Sequence, residues 1–176
     1  MGGTMSRVTT VLSGVALLLV FVVLLALPRL LPSVEDGATA YGRGDYAAAF
    51  SEFLPLANKG DPNAQFFIGE MYRLGQGRKT NNEIAAQWHL KAAIAGNSNS
   101  QFTIGMMYSH GIGVDKDFIQ AYKWCSLAII RLSPWDDLIR ERASQTRAEI
   151  LTVMPQTDVD KAKALVIAWD RQFKSN

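Results

Sequence analysis

Two glycine-rich segments carry the residues that most resemble a phosphate-binding loop. They are Gly69–Thr80, GEMYRLGQGRKT, and Gly105–Lys116, GMMYSHGIGVDK. A phosphate loop needs a glycine directly before its Lys-Thr pair and a preceding strand, because backbone N–H groups must surround the phosphate. Arg78 occupies that glycine position, and the residues before it have helical periodicity. Both segments therefore predict turns between helices.

Two histidines, one cysteine and a pair of aspartates are the other side chains that could do chemistry. His89, His110 and Cys125 have no spacing that would assemble a nucleophile, a base and an orienting acid. Asp115 and Asp117 begin like a calcium loop but lack its later glycine and bidentate glutamate, so we interpret them as helix caps. One cysteine excludes an intrachain disulfide and a cysteine-based zinc site. We therefore predict no catalytic residue, no cofactor and no metal site.

The charge distribution argues against a nucleic-acid-binding surface. The formal net charge is +2, and Arg7 and Arg29, beside the apolar N-terminal segment, account for it. From Val34 onward, 16 basic residues balance 16 acidic residues, and no basic run marks a nucleic-acid surface. We therefore expect no nucleic-acid partner, and no group in the chain indicates a small-molecule substrate.

Residues 8–27, VTTVLSGVALLLVFVVLLAL, form an uncharged segment that is long enough to cross a membrane. As a helix, they would span roughly 30 Å, the thickness of the bilayer hydrocarbon. This length favours a transmembrane anchor over a cleaved signal peptide, whose apolar core is usually about 7–15 residues; cleavage remains the alternative. Arg7 favours a cytoplasmic N-terminus. We expect a single-pass inner-membrane protein with its body in the periplasm, or a secreted or periplasmic protein after cleavage.

An internal repeat with a period of 36 residues accounts for the glycines. Residues 64–93 align without a gap on residues 100–129. Each copy predicts two helices, because apolar residues recur at helical spacing on both sides of a glycine-rich turn. The repeat-defining residues are Ala64, Gly69, Tyr72, Gly75, Gly77, Ala85, Trp88 and Ala92 in the first copy, and Gly105, Tyr108, Gly111, Gly113, Ala121, Trp124 and Ala128 in the second.

A shorter unit precedes these copies. Residues 37–60 resemble half of a repeat, with Tyr41 in the position of Tyr72 and Asp45 as the cap of its second helix. Two further helices are predicted after the copies, beginning at Ser133 and Thr157, where a solenoid needs a terminal cap.

These observations predict three parts of the chain. They are an N-terminal anchor or signal over residues 1–33, a repeat array over residues 34–131, and capping helices over residues 132–176. Within the array, the half repeat is followed by full repeats at residues 61–96 and 97–131.

The pattern A-x-x-x-x-G-x-x-Y-x-x-G-x-G, followed by A-x-x-W-x-x-x-A-A, resembles the Sel1-like repeat, a branch of the tetratricopeptide-repeat superfamily. It is carried in the first copy by Ala64, Gly69, Tyr72, Gly75, Gly77, Ala85, Trp88, Ala92 and Ala93. Two adjacent copies make the resemblance specific. The resemblance, closest to bacterial membrane-anchored members, implies an all-α protein. Its fold would be a short right-handed α-solenoid of helix-turn-helix repeats that binds other proteins.

The predicted partner-binding surface lies on the first helix of each repeat, opposite its apolar stripe. Residues spaced three and four apart share a helix face, and in the superfamily the corresponding face lines a concave groove. The residues concerned are Asn63, Phe66, Glu70 and Arg73 in the first copy, and Asn99, Phe102, Met106 and Ser109 in the second. Packing of the two phenylalanines against a neighbouring helix is the alternative.

We therefore predict a non-catalytic interaction scaffold that is anchored in the membrane. Its partner would be a peptide or helix of an envelope protein. One alternative is a structural subunit of a membrane complex, held by its anchor helix. Another is a β-lactam-binding or β-lactam-hydrolysing repeat protein. That type resembles cysteine-paired relatives, whereas this chain has one cysteine and no S-x-x-K motif.

Overall fold

The computed structural model describes residues 31–133 and 135–175, and these residues form eight α-helices and no strand. The helices are α1 (Val34–Gly42), α2 (Tyr46–Asn58), α3 (Pro62–Leu74), α4 (Asn82–Ile94), α5 (Ser98–His110), α6 (Phe118–Arg131), α7 (Asp137–Val153) and α8 (Gln156–Ser175). From α1 to α7, each helix packs against the next, and α8 packs against α6. The predicted all-helical, solenoid-like repeat fold is confirmed.

Side-chain caps explain where the first six helices begin. The capping residues are Ser33, Asp45, Asp61, Asn81, Asn97 and Asp117, and each accepts a hydrogen bond from a backbone amide in the first turn of its helix. These bonds satisfy amides that have no partner within the helix. The predicted caps at Asp45 and Asp117 are confirmed, whereas Asp115 caps none of these eight helices.

Two close approaches between helices explain why glycine recurs in the middle of α3 and α5. A Cβ atom added to Gly69 would lie 2.9 Å from the His89 ring, and one added to Gly105 would lie 2.7 Å from Cys125 Sγ. His89 and Cys125 occupy equivalent positions in the two copies, on α4 and α6. The glycines therefore let the two helices of each repeat pack closely.

The equivalent close approach in the first unit shows which of its residues correspond to those of the later repeats. A Cβ atom added to Gly37 would lie 2.6 Å from the Phe53 ring, so Gly37 corresponds to Gly69. Tyr41, four residues after Gly37, therefore occupies the position of Arg73, and its assignment to the position of Tyr72 was wrong. The turn between α1 and α2, residues 43–45, is shorter than the corresponding turns of the two later repeats, residues 75–81 and 111–117.

Helices α7 and α8 begin at other residues than the sequence indicated. Helix α7 begins at Asp137 rather than Ser133, whose hydroxyl accepts only a 3.4 Å contact from the Trp135 amide. Arg140 explains the delay, because its guanidinium donates to the carbonyl oxygens of Ile129, Leu132 and Ser133 and ties this turn to the end of α6. Helix α8 begins at Gln156, one residue before the predicted cap at Thr157.

The predicted membrane anchor, residues 8–27, lies outside the described residues. Within residues 31–133 and 135–175, none of the helices combines the length and the apolar character that crossing a bilayer requires.

Candidate functional site

The predicted partner-binding stripe of the first copy lies on α3 and is partly exposed to solvent. Asn63 is exposed, and Phe66, Glu70 and Arg73 are half-buried. The Arg73 side chain keeps 33% of its surface exposed, which leaves it accessible to another molecule. We call these four residues the α3 face.

An ion-pair cluster fixes the centre of the α3 face. Arg73 donates to both carboxylate oxygens of Glu70, at 2.9 Å from Nε and 2.6 Å from Nη2. On the inner side, Nε2 of the buried His89 lies 3.2 Å from Glu70 Oε1, without the alignment of a hydrogen bond. The Nδ1 atom of His89 lies 3.3 Å from the Ser100 hydroxyl. Glu70 therefore connects an exposed guanidinium to a buried imidazole, and such bidentate pairs hold side chains in one orientation.

The charge of Glu70 is set by two opposing effects. Burial raises the pKa of its carboxyl, but the contacts with His89 and Arg73 outweigh burial and lower that pKa to about 2. Glu70 is therefore ionised throughout the physiological pH range. Its contact raises the pKa of the Arg73 guanidinium in turn.

Aromatic side chains surround this cluster. The Phe66 ring makes edge contacts with Phe67 and His89, at centroid distances of 5.3 and 5.9 Å. Phe67 stacks on Phe53 at 4.4 Å and contacts Tyr41 at 5.1 Å. The rings therefore form a continuous contact from the open surface into the core between α1, α2 and α3.

Tyr41 adds a polar edge to the same region. Its hydroxyl donates to Gln76 Oε1, and Gln76 Nε2 donates to the Tyr46 hydroxyl at 3.1 Å. Burial, followed by the charge of Glu70, raises the pKa of the Tyr41 hydroxyl. Sequence reasoning missed this contribution, because the register placed Tyr41 in the core rather than beside the α3 face.

The corresponding stripe of the second copy is largely covered. Phe102 is 8% exposed and packs in a cluster with Cys125 and with Ile139 and Ala143 of α7. Ser109 is buried, and its hydroxyl donates to the Met106 carbonyl oxygen at 2.8 Å. Asn99 and Met106 are half-buried. The structure therefore does not bring the eight predicted residues into one open groove, and the α3 face is the accessible part.

The two copies place different side chains at the same contact between their two helices. Met106 and Cys125 of the second copy stand where Glu70 and His89 stand in the first. Cys125 is fully buried, and burial raises the pKa of its thiol to about 12, so it packs as a small apolar group. The charged Glu70 and His89 pair lies beside the partly exposed α3 face, whereas Met106 and Cys125 lie where the equivalent face is covered.

The repeat-defining residues lie where the repeat requires them. The alanines among them, Ala64, Ala85, Ala92, Ala121 and Ala128, are fully buried, and Trp124 is 2% exposed. Tyr72, Trp88 and Tyr108 are half-buried, and Gly75 and Gly111 end α3 and α5 in left-handed conformations. Gly77 and Gly113 have positive φ angles in the turns.

The segments that resembled chemical motifs have structural roles. Helix α3, not a strand, precedes the Lys-Thr pair, and the guanidinium carbon of Arg78 lies 3.0 Å from the centroid of the Phe50 ring. His110 is exposed, and its Nδ1 lies 2.7 Å from the Ser109 hydroxyl. Asp117 caps α6. The first half of each glycine-rich segment belongs to a helix, and the second half forms the predicted turn, residues 75–81 and 111–117.

Sequence reasoning aligned Gln65 with Gln101 but assigned them no role. Both are buried, and each donates from Nε2 to a carbonyl oxygen at the end of the preceding helix, Ala57 and Ala93 respectively. The available signal in the sequence was that glutamine recurs at these two positions, one repeat period apart. These bonds join one helix pair to the next.

Comparison with protein families matches the Sel1 repeat over residues 62–97 and 98–130. Sel1 repeats generally mediate protein–protein interaction. A comparison with curated proteins gave no match.

Two solved structures share the fold. A protective antigen of uropathogenic Escherichia coli, described as displaying an SLR fold, matches with a TM-score of 0.66 and 27% identity, over 80% of this chain and 31% of the antigen. A Sel1 repeat protein from Oxalobacter formigenes matches with a TM-score of 0.56 and 27% identity, over 67% of this chain and 56% of that protein. The chain thus spans about a third and about half of these two neighbours. The chain thus contains two Sel1 repeats, over residues 62–97 and 98–130, and its fold is similar to that of these two neighbours.

Proposed function

We propose that this protein is a non-catalytic scaffold that binds a segment of another protein through the α3 face. The observation that supports this most directly is the solvent exposure of Phe66 and of the Glu70–Arg73 pair. They remain partly exposed, whereas their equivalents Phe102 and Ser109 are buried. The face thus carries an aromatic ring and, two helical turns further on, a fixed guanidinium, and aromatic residues and arginine are enriched at the energetic centres of protein interfaces.

The contacts also indicate which segment would bind. Phe66 offers apolar surface, and its packing on Phe67 and His89 holds the ring in place before a partner arrives. Arg73 uses Nε and Nη2 on Glu70, so its remaining donors can bind a carbonyl or carboxylate of the partner. We expect a short peptide or helix with an apolar residue next to such an acceptor. A single open face of this size predicts a weak or transient complex.

The test is photocrosslinking in cells from the full-length protein. A photoreactive phenylalanine analogue at position 66 should crosslink to a defined partner. The same analogue at Gln87, exposed on α4, is the matched control and should not. Phe66→Ala in an otherwise unchanged chain should abolish recovery of that partner, while Gln87→Ala should not affect it. Equal crosslinking from both positions, or unchanged recovery in a Phe66→Ala, Arg73→Gln double variant, would contradict the proposal.

We also propose that residues 8–27 anchor the chain in the inner membrane, with the body in the periplasm. The support is the uncharged length of this segment and Arg7 before it. The full chain should stay in the membrane pellet after alkaline carbonate extraction, and a C-terminal alkaline phosphatase fusion should be active. Release of a shortened protein into the soluble periplasm would instead support signal cleavage. Partners that follow only the anchor, in pull-downs with and without residues 1–33, would favour the structural-subunit alternative.

A further inference from the structure

A crevice between α6, α7 and α8 lies among residues that the proposed function does not use. Its volume is about 240 Å³. The residues that decide its chemistry are Ser126 and Ile130 of α6, Arg147 of α7, and Lys163 and Ile167 of α8. The crevice shares no residue with the α3 face.

Two cations line this crevice without a counter-charge. No aspartate or glutamate is among its lining residues. Within residues 31–133 and 135–175, Arg147 and Lys163 form none of the ion pairs, whereas Arg73 pairs with Glu70 and Arg131 with Asp170. Arg147 is half-buried, so its charge is incompletely solvated, whereas Lys163 is exposed at the edge of the crevice. Such an arrangement favours an anion.

Ser126 supplies a third polar group. It is 4% exposed, and its hydroxyl has no hydrogen-bond partner among the described residues. A buried hydroxyl without a partner is unfavourable, and such groups are uncommon in folded proteins. Ser126 lines the crevice, but its oxygen is covered in the observed rotamer, so donation to an acceptor in the crevice requires rotation of its side chain.

The mouth of the crevice is apolar. Ile130 and Ile167 belong to its lining, and their side chains are 54% and 60% exposed. Two isoleucines on the rim beside two cations make an amphipathic site. A ligand with an anionic head and a short apolar chain would contact both parts.

We propose that this crevice binds an organic phosphate, with the phosphate at Arg147, Lys163 and Ser126 and its carbon chain along Ile130 and Ile167. A phosphate monoester carries a charge of about −1.5 to −2 at neutral pH and has three strong acceptor oxygens, which matches two cations and a hydroxyl. A carboxylate carries one negative charge and would leave one of the two positive charges unneutralised. The volume is smaller than that of most drug-sized pockets, so the site suits a small headgroup rather than a nucleotide.

The binding test is calorimetric titration of the full-length protein in a non-ionic detergent. Hexyl phosphate should bind saturably, inorganic phosphate should bind more weakly because it lacks the chain, and hexanol should give no saturable heat. Absence of saturable binding by hexyl phosphate, or equal binding of hexanol, would overturn the proposal.

Variants locate the site. Arg147→Gln and Lys163→Gln should each weaken hexyl phosphate binding roughly tenfold or more, since each removes a charge-assisted bond. Ser126→Ala should weaken binding without lowering the thermal midpoint, because the hydroxyl has no protein partner. Arg142→Gln and Lys161→Gln are controls on the same helices, outside the crevice, and should bind like the unchanged chain. Equal affinity in Arg147→Gln and in Arg142→Gln would overturn the assignment.

The phosphate could come from a soluble ester or from a lipid headgroup. Titration with the water-soluble lipid dihexanoyl phosphatidic acid separates the two. Tighter binding than hexyl phosphate, lost in Arg147→Gln, supports a lipid source, and equal or weaker binding supports a soluble ester. If all five variants bind both compounds with unchanged affinity, the compounds are partitioning into detergent micelles, and the proposal is contradicted.

Discussion

Gln65 and Gln101 make the same hydrogen bond one repeat apart. Gln65 donates to Ala57 O at 3.0 Å, and Gln101 donates to Ala93 O at 3.1 Å. Each of these carbonyl oxygens also accepts the amide of a glycine, Gly60 or Gly96, at 3.1 Å. The side chain thus uses the second lone pair of a helix-terminal carbonyl, and it fixes where the next helix pair begins.

This role predicts equal losses of stability at the two positions. Gln101→Ala removes the bond and leaves a cavity between α4 and α5, so the free energy of unfolding should fall by roughly 2–3 kcal/mol. Gln65→Ala should cost the same within about 1 kcal/mol. Urea unfolding measures both, and Gln87→Ala on the surface of α4 should change stability by no more than about 0.5 kcal/mol. A loss at only one position would show that the bonds are not equivalent.

Substitutions at Gly111 and Gly113 should separate backbone strain from a steric clash. Their φ angles are +70° and +69°, so alanine strains the backbone equally, by roughly 1–2 kcal/mol. A Cβ atom at Gly113 would lie 2.1 Å from the Asn82 carbonyl oxygen, whereas the nearest atom at Gly111 would be 3.4 Å away. Gly113→Ala should therefore cost at least about 2 kcal/mol more in urea unfolding. Equal losses would contradict the close approach.

Exchanging the charged pair of the first copy for the apolar pair of the second should show coupling. Glu70→Met leaves the buried His89 without its carboxylate, and His89→Cys removes a contact of Glu70. The double variant restores the Met–Cys pair found at Met106 and Cys125. It should be more stable than the sum of the single losses by about 1–2 kcal/mol, measured by a double-mutant cycle. Additivity within about 0.5 kcal/mol would show that the pair is uncoupled.

Glu70 should also produce acid sensitivity. Its pKa is lowered from 4.5 to about 2 in the folded protein, so its stabilising effect is present above the unfolded pKa and is lost as the pH falls from 4.5 towards 2. The effect amounts to at most about 3 kcal/mol. Glu70→Gln should therefore be less stable at neutral pH and should lose less stability between about pH 5 and pH 3. Parallel pH profiles of the two proteins would contradict this explanation.

Phe66 and Phe102 should respond differently to truncation. Phe102 is buried against α7, so Phe102→Ala should lower the free energy of unfolding by roughly 3–5 kcal/mol. Phe66 is half-buried, and Phe66→Ala should cost about half as much. Thermal and urea unfolding of both variants provide the comparison. A larger loss at position 66 would mean that the α3 face is part of the core rather than a surface for a partner.

The repeat fold was predictable because one physical requirement recurs at a fixed period. Gly69 and Gly105 are both needed where two helices touch, and Gly75 and Gly111 both end a helix. Such local needs leave the same residue type in each copy. The buried alanines, and the fact that the residues of the α3 face share one side of a helix, followed from helical spacing.

The features that the sequence did not predict depend on contacts between residues that are far apart in the sequence. The start of α7 depends on Arg140 binding the end of α6, which no cap pattern at Ser133 reveals. The burial of Phe102 depends on where α7 packs, and the role of Gln101 depends on a backbone carbonyl that has no sequence signature. The crevice at Ser126 needed three helices to be placed before its charges could be compared.

The bonds of Gln65 and Gln101 have a consequence for how such a protein changes over evolutionary time. The first full repeat carries both Gln65, which joins it to the unit before, and the Ala93 carbonyl oxygen, which accepts from Gln101 of the repeat after. Duplication or loss of a whole repeat would preserve these hydrogen bonds between repeats. Insertion or deletion of a single residue would shift every later glutamine away from its carbonyl partner. The array can therefore lengthen or shorten in whole units, while residues outside the joint, such as Glu70 and His89, can differ from copy to copy if they change as a pair.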